Sequence, residues 1–483
     1  MRLLVAALVC AATADAGALR DERRSKVFCA AVRRGNARAV KMSIRKGVDI
    51  EYQCPAANGT ETALCIASRE GHADIVDALL REGAAVTIAL HIAAGYGQTE
   101  VAELLLGAGG NPWQGDVAGY TPLDNAARWG HQKIVEEFLD EASVDVKSHD
   151  AKGAPIYWAA QYGRVEVIKL LLERGADPNI GARAGTHPLY IAAENNHSDV
   201  VRALLEVVDP RGATWNSYSP LHVAADAGST ASLEVLVEDG RLSVNDRTVN
   251  GTTPLFLATR RGQLDVVEKL LEHGANASIA MHSGVAPLYA AAELDRSDVV
   301  RRLLEVVDPR RSTLKQSAWR GFSCLHLAAV EGSTAALEIL LADGRLPIDS
   351  RNIVAPLWVA AEHGQLESVK ILLGHGADVW SRAKLQSGWF SPAYTSAEIA
   401  AKNGHHEVAA LIRTHQPWST EVKLCATVAC MLIAALIMSE LSEAARALEA
   451  LRAHVQTGRF AGVARARRQL QRRNGSKNEL FTI

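Results

Sequence analysis

Residues 252–284 read TTPLFLATRRGQLDVVEKLLEHGANASIAMHSG. Thr253 offers a side-chain oxygen to free helix amides and Pro254 presets a first turn. A short helix therefore starts here, with Leu255, Leu257 and Ala258 on its apolar side. Gly262 breaks it. A second helix follows in which Val266, Val267, Leu270 and Leu271 recur at the spacing of a buried stripe, and Gly274 stops it as a C-terminal cap. Two helices of this size cannot enclose a core, so the unit needs copies of itself stacked on either side.

The chain supplies those copies. The Ala that follows the first apolar triplet recurs at Ala31, Ala67, Ala93, Ala126, Ala159, Ala192, Ala224, Ala258, Ala291, Ala328, Ala360 and Ala400, in steps that are mostly of nearly equal length. TPLDNA at Thr121, SPLHVA at Ser219 and SCLHLA at Ser323 repeat the opening motif. The pattern resembles the ankyrin repeat over roughly Ser25 to Gln416. The resemblance implies an all-α solenoid of about twelve helix–turn–helix units with short hairpin fingers, built for holding other proteins.

Composition agrees. A chain of 483 residues suggests about three domains by length, but a solenoid has no single core and grows one unit at a time. Aromatic residues at 5% suit thin stacked helices, and a net charge of −2 gives no global attraction to nucleic acid or anionic membrane.

At the start, Met1 and Arg2 precede the apolar run Leu3 to Ala12, and Ala14-Asp15-Ala16 offers a small-x-small cleavage site. Residues 1–16 read as a secretory signal peptide; the alternative is an Ala-rich cap on the first repeat, or a misplaced start, in a cytoplasmic protein. Cysteine usage leaves the compartment open. Removing Cys10 with the signal leaves Cys29, Cys54, Cys65, Cys324, Cys425 and Cys430, even in number but without framework spacing, and Cys29, Cys65 and Cys324 fall in first helices, where a small buried thiol is expected. The sequons at Asn58, Asn196, Asn250 and Asn276 are glycosylation acceptors only in a secretory lumen, and read first as turns.

Unit spacing adds detail. The step from Ala67 to Ala93 is the shortest in the series, so the finger around Ala85 to Ile88 is cut short and lacks a normal hairpin. The steps from Ala291 to Ala328 and from Ala360 to Ala400 are the longest, and they lengthen the fingers carrying Trp319 and Trp389. LLEVVDPR occurs at Leu204 to Arg211 and again at Leu303 to Arg310, each preceded by SDVVR and followed by DGRL, at Asp239 and Asp343. Three units have been duplicated. In both copies the Gly that ends the second helix is missing and Asp-Pro takes over the stop, so these joints should differ from the others.

After Gln416 the periodicity ends, leaving a tail over residues 417–483. Leu424 to Met438 is an uncharged, mainly apolar stretch; as a helix it reaches about 22 Å against a hydrocarbon core of about 30 Å. Leu441, Ala445, Leu448, Leu451 and Val455 then line one side of an amphipathic helix. A basic end, residues 459–477, carries Arg459, Arg465, Arg467, Arg468, Arg472, Arg473 and Lys477 without an acid. Two readings fit: a membrane anchor with its positive flank inside, or an apolar helix docked on the last repeat.

Catalytic motifs are lacking: no HExxH, GxxxxGK, GxSxG or CxxC occurs. The histidines fall on repeat positions, His91, His222 and His326 in the TPLH slot and His72, His131 and His405 after the turn Gly, and read as structural. No catalytic residue, cofactor or metal site is assigned. The surface feature that stands out is a ladder: Tyr96, Trp129 and Tyr162 recur exactly one repeat apart, each immediately before its turn Gly, with Arg69, Arg128 and Gln161 beside that slot. By the resemblance this slot faces a concave groove. Tyr96, Arg128, Trp129, Gln161 and Tyr162 form the expected partner-binding set, since Tyr, Trp and Arg dominate interface hot spots. The functional expectation is a non-enzymatic scaffold for a protein partner, with a membrane-anchored adaptor held by 424–438 as the alternative.

Overall fold

A computed structural model describes residues 21–56, 59–140, 154–181, 186–311, 322–349, 354–384, 393–415, 444–450 and 452–453. These residues belong to two units, one ending at Ile412 and the other running from Arg413 to Ile483.

The first unit is a helical solenoid. Its first helices are α1 (residues 21–33), α3 (Ala63–Glu70), α5 (Thr87–Tyr96), α7 (Pro122–Trp129), α9 (Pro155–Gln161), α11 (Pro188–Glu194), α13 (Pro220–Ala227), α15 (Pro254–Arg261), α17 (Pro287–Glu293), α19 (Cys324–Glu331), α21 (Pro356–Glu362) and α23 (Ser396–Lys402). Its second helices are α2 (Ala37–Arg45), α4 (Ala73–Leu80), α6 (Thr99–Gly107), α8 (Gln132–Asp140), α10 (Val165–Glu173), α12 (Ser198–Leu205), α14 (Thr230–Asp239), α16 (Leu264–Glu272), α18 (Ser297–Val306), α20 (Thr334–Asp343), α22 (Leu366–Gly374) and α24 (His406–His415). From α3 onward each first helix packs on the next first helix, and from α2 to α22 each second helix packs on the next second helix, so the core runs continuously between two helical layers.

Residues 252–284 behave as their chemistry requires. Thr253 Oγ1 accepts from Phe256 N–H, Pro254 opens α15, and Gly262 at φ 80° ends it. Val266, Val267 and Leu270 are fully buried on α16. The turn glycine is doubly constrained: it holds a left-handed conformation, and the next repeat's capping side chain lies across it. A Cβ at Gly97 would meet the His131 ring at 2.6 Å, and one at Gly163 the His197 ring at the same distance. In the sixth and ninth repeats Asn196 (φ 60°) and Asp295 (φ 53°) take the glycine's place. These residue types tolerate that conformation best after glycine, and here their side-chain oxygens also accept from Ser232 N–H and Ala336 N–H of the following repeat.

Three fingers close the same way. Asp116 N–H donates to Tyr120 O, Thr248 N–H to Thr252 O, and Met281 N–H to Val285 O, with Gly119, Gly251 and Gly284 at the tips in positive φ. Between Leu80 and Thr87 there is no hairpin, as the short step from Ala67 to Ala93 requires. The long eleventh finger starts from a paired stem, β3 (Arg382–Lys384) against β4 (Ala393–Thr395); Trp389, like Trp319, lies outside the described residues.

The first finger brings a correction. Cys29 is not a free thiol: it is bonded to Cys54 on β1 (Cys54–Ala56), which pairs with β2 (Gly59–Glu61). α1 and β1 bring the two Cα atoms to 5.7 Å, within disulfide reach, although the sequence separation of 25 matches no framework spacing. Cys65 and Cys324 are buried thiols, as expected; burial pushes the Cys324 thiol up to about 12.

The joints after LLEVVDPR are indeed different. No positive-φ residue ends α12 or α18. The arginine of each DGRL segment caps the free carbonyls instead. Arg241 donates to Val208 O at 2.9 Å and Leu205 O at 2.7 Å, and Arg345 to Val307 O at 3.2 Å and Leu304 O at 2.6 Å. Asp239 and Asp343 hold the two guanidiniums in fork geometry.

In the second unit a helix over 444–450 and 452–453 is exposed along its described length, Leu448 included. Segment 424–438 and basic end 459–477 lie outside the described residues, as does segment 1–16. Among the described residues no helix is long and apolar enough to cross a membrane.

Candidate partner-binding face

Two hydrogen-bond ladders fix the first helices. At their N-terminal ends the TPLH position reaches the next finger. His222 Nε2 lies 3.2 Å from Thr252 O and His326 Nε2 2.7 Å from Val354 O, while their Nδ1 atoms accept from Ser219 and Ser323 N–H. That pairing places the ring proton on Nε2. Burial holds both rings below the usual histidine range, His326 at about 4, so they are neutral structural donors. In two repeats where an aromatic residue replaces histidine the bond persists: Tyr289 OH donates to Phe322 O at 3.1 Å and Trp358 Nε1 to Tyr394 O at 2.9 Å.

At the C-terminal ends, the residue preceding the second helix caps the previous repeat's first helix in eight repeats. Gln98 donates to Arg69 O, Arg164 to Arg128 O, Ser229 to Glu194 O, Arg296 to Arg260 O, Ser333 to Glu293 O and Gln365 to Val330 O; His131 and His197 pair with Gly95 O and Gln161 O. Helix-end carbonyls otherwise lack partners. The backbone beneath Arg69, Arg128 and Gln161 is thereby fixed.

On this base stand the five residues singled out by register. Tyr96 and Trp129 end α5 and α7, and Tyr162 caps α9. Trp129 is 49% exposed and Tyr96 60%, so neither is a core residue. The Trp129 and Tyr162 ring centroids are 6.3 Å apart. The Arg128 guanidinium carbon lies 5.5 Å from the Trp129 ring and 4.7 Å from the Tyr162 ring, and Nη2 donates to Tyr162 OH at 2.5 Å. Both stacking on aromatic faces and planar donation suit a guanidinium. Arg128 Nε and Gln161 Oε1 are out of solvent with no hydrogen-bond partner among the described residues.

The structure thus groups Arg128, Trp129 and Tyr162 tightly. Tyr96 stands apart: no ring contact joins it to Trp129 among the described residues, and it lies instead 6.0 Å from Arg69, whose guanidinium is paired with Glu61. A second aromatic group falls outside the register that singled out these residues. Tyr120 and Tyr157 each meet the Trp158 ring edge-on at 5.2 Å, at the finger end of the same helices. Tyr157 occupies the TPLH histidine position and is a signal for this group, but Trp158 is adjacent to that position and not in the Tyr96 register.

Beyond the fifth repeat carboxylates join the face. Asp226 takes both Arg260 and Arg261. Burial and the neighbouring Asp226 carboxylate raise Glu194, and burial and Glu331 raise Glu293. Among the described residues no cluster of three or more His, Cys, Asp or Glu is arranged to hold a metal ion.

Known proteins share the repeat. The family model described as ankyrin repeats (3 copies) matches residues 28–116, 90–182, 156–247, 241–313 and 306–383. Transient receptor potential cation channel subfamily A member 1 of Homo sapiens is 24% identical over 180 residues, covering 35% of this chain and 13% of its own length. Ankyrin repeat and SOCS box protein 2 of Homo sapiens is 38% identical over 71 residues, 15% of this chain and 11% of its own. Alpha-latrotoxin-Lg1a of Latrodectus geometricus is 43% identical over 56 residues, 11% and 4% respectively. The chain therefore spans 13% or less of the length of each of these relatives.

Proposed function

The chain belongs to the ankyrin-repeat family, and from that premise we propose that it is a non-enzymatic scaffold whose first-helix face holds a partner protein through Tyr96, Arg128, Trp129, Gln161 and Tyr162. The observation that carries this reading is the Arg128 guanidinium set between a half-exposed Trp129 and Tyr162. Three large groups already locked against one another lose little rotamer freedom when a partner covers them, and that saving favours affinity. Rings used only to pack repeats together would be buried, as Trp358 is.

The test is a single substitution read two ways. Proteins retained by the full chain from its native cells, and lost with Trp129→Ala, are identified by mass spectrometry and titrated in pure form. Trp129→Ala should weaken binding by about 2 kcal/mol or more, the hot-spot threshold, with melting nearly unchanged. Unchanged affinity together with a loss of about 3–5 kcal/mol in stability, the cost of emptying a core site, overturns the proposal.

A further inference from the structure

We infer that this chain folds in an oxidising secretory lumen and carries an N-linked glycan on Asn250, at the tip of the finger between α14 and α15. The compartment follows from the Cys29–Cys54 bond, which joins two side chains at 2% and 0% exposure. Forming it removes two electrons and two protons from a pair of thiols and delivers them to a disulfide-type oxidant. Oxidising lumens maintain such an oxidant, whereas a reducing cytosol keeps thiols apart. The apolar run Leu3 to Ala12 with its small-x-small site points the same way on separate grounds.

In that compartment the sequons acquire meaning, and the fold distinguishes them. Asn196 Oδ1 accepts from Ser232 N–H, on the turn that borders the first-helix face. Asn276 Oδ1 accepts from Ser278 N–H, and the Asn276 backbone N–H donates to Asn245 Oδ1. Asn58 lies outside the described residues. Asn250 differs: it is exposed at a finger tip between Val249, 71% exposed, and Gly251 at φ 78°. Only its backbone carbonyl is engaged, by His282 N–H; no hydrogen bond holds its side chain among the described residues. Thr252 supplies the hydroxyl residue the sequon requires.

The donor is a lipid-diphosphate-linked oligosaccharide. Asn250 Nδ2 bonds to C1 of the first sugar, the C1–O bond to the diphosphate breaks, the lipid diphosphate leaves with the electron pair, and one amide proton passes to a base on the transferase. No electron is exchanged. A glycan here displaces no side-chain hydrogen bond of the fold. It also sits between the seventh and eighth repeats, leaving Trp129 and Tyr162 of the fourth and fifth uncovered.

The full chain with its own N-terminus, made in a eukaryotic cell, tests both parts. Peptide N-glycosidase should increase its gel mobility by one glycan and convert Asn250 to Asp, read by peptide mass. Asn250→Gln should abolish that shift while leaving the melting temperature unchanged, as should Asn250→Asp. Alkylation of the denatured, unreduced chain should spare Cys29 and Cys54 and label them only after reduction. An unmodified Asn250 peptide, or a mobility shift that survives Asn250→Gln in full, overturns the glycan assignment. Labelling of Cys29 and Cys54 without reductant overturns the compartment.

Discussion

Arg241, in the seventh repeat, donates to the carbonyl of Leu205, in the sixth, at 2.7 Å, and so closes a helix that has no glycine of its own. The same guanidinium reaches Val208 O while Asp239 grips its other edge. One side chain thus replaces a local cap with an inter-repeat bond. Truncation leaves two carbonyls and a carboxylate without this donor, so Arg241→Ala should destabilise by about 1–3 kcal/mol. Arg241→Lys should recover only part of it, because an ammonium cannot span the fork. Urea unfolding of the two variants measures the difference, and Arg345→Ala should behave alike.

This relationship also marks how far the sequence was legible. The repeat register, the turn glycines, the missing second finger and the duplicated units follow from residues that act on their own neighbours in the chain. Arg241 and Leu205 lie a whole repeat apart, and nothing local says that the arginine of DGRL serves the end of LLEVVDPR. The Cys29–Cys54 bond was hidden for the same reason: pairing depends on where α1 meets β1, not on spacing. At the candidate site, the repeat period placed Trp129 and Tyr162 together, but it also implied a third rung at Tyr96, which turns to Arg69 instead. Periodicity fixes which helix end a residue occupies, whereas ring contacts depend on rotamers and on the neighbouring cation.

Acid should weaken the fold through His326. Its ring titrates near 4 in the fold against 6.5 when unfolded. Above pH 6.5 both states are neutral and the stability is fully present. Between 6.5 and 4 the unfolded chain binds the extra proton, so stability falls as pH falls, by up to about 1.4 kcal/mol per pH unit. Chemical denaturation at pH 7, 5.5 and 4.5 should show a smaller loss for His326→Gln than for the parent chain, because the variant has no proton to gain there.

The opposite sign is expected at Glu137. Burial first, then the carboxylates of Glu103 and Glu136, raise it from 4.5 to about 7. Ionisation therefore costs the folded state more than the unfolded one, and this group's contribution declines as pH rises from 4.5 through 7. Glu137→Gln should stabilise the chain at pH 8 and do little at pH 4.5, with a gain below about 1 kcal/mol because the site remains partly solvated. Paired melts at the two pH values test the sign.

Reduction should loosen one end of the solenoid only. Cys29 and Cys54 close a sequence separation of 25, for which chain entropy gives about 3.5 kcal/mol. Repeats couple to their neighbours alone, so Cys54→Ser should accelerate amide exchange in α1 and α2 while leaving α13 to α16 protected. Uniform loss of protection along all twelve repeats would contradict nearest-neighbour coupling.

Tyr162→Phe separates positioning from packing at the candidate face. The substitution keeps the ring that lies 4.7 Å from the Arg128 guanidinium and removes only the hydroxyl that accepts from it at 2.5 Å. Water can replace the lost partner at this partly exposed position, so stability should change by no more than about 1.5 kcal/mol, the upper range for a single net hydrogen bond. Binding should respond more strongly if Arg128 must be held in place. A freed guanidinium gains rotamers that a partner must freeze again, at roughly 0.5–1.5 kcal/mol, which lowers affinity by up to about tenfold. Titration of the identified partner against the parent chain, Tyr162→Phe and Arg128→Ala decides the matter. Loss with both variants supports a positioned guanidinium; loss with Arg128→Ala alone shows that the hydroxyl does not position it.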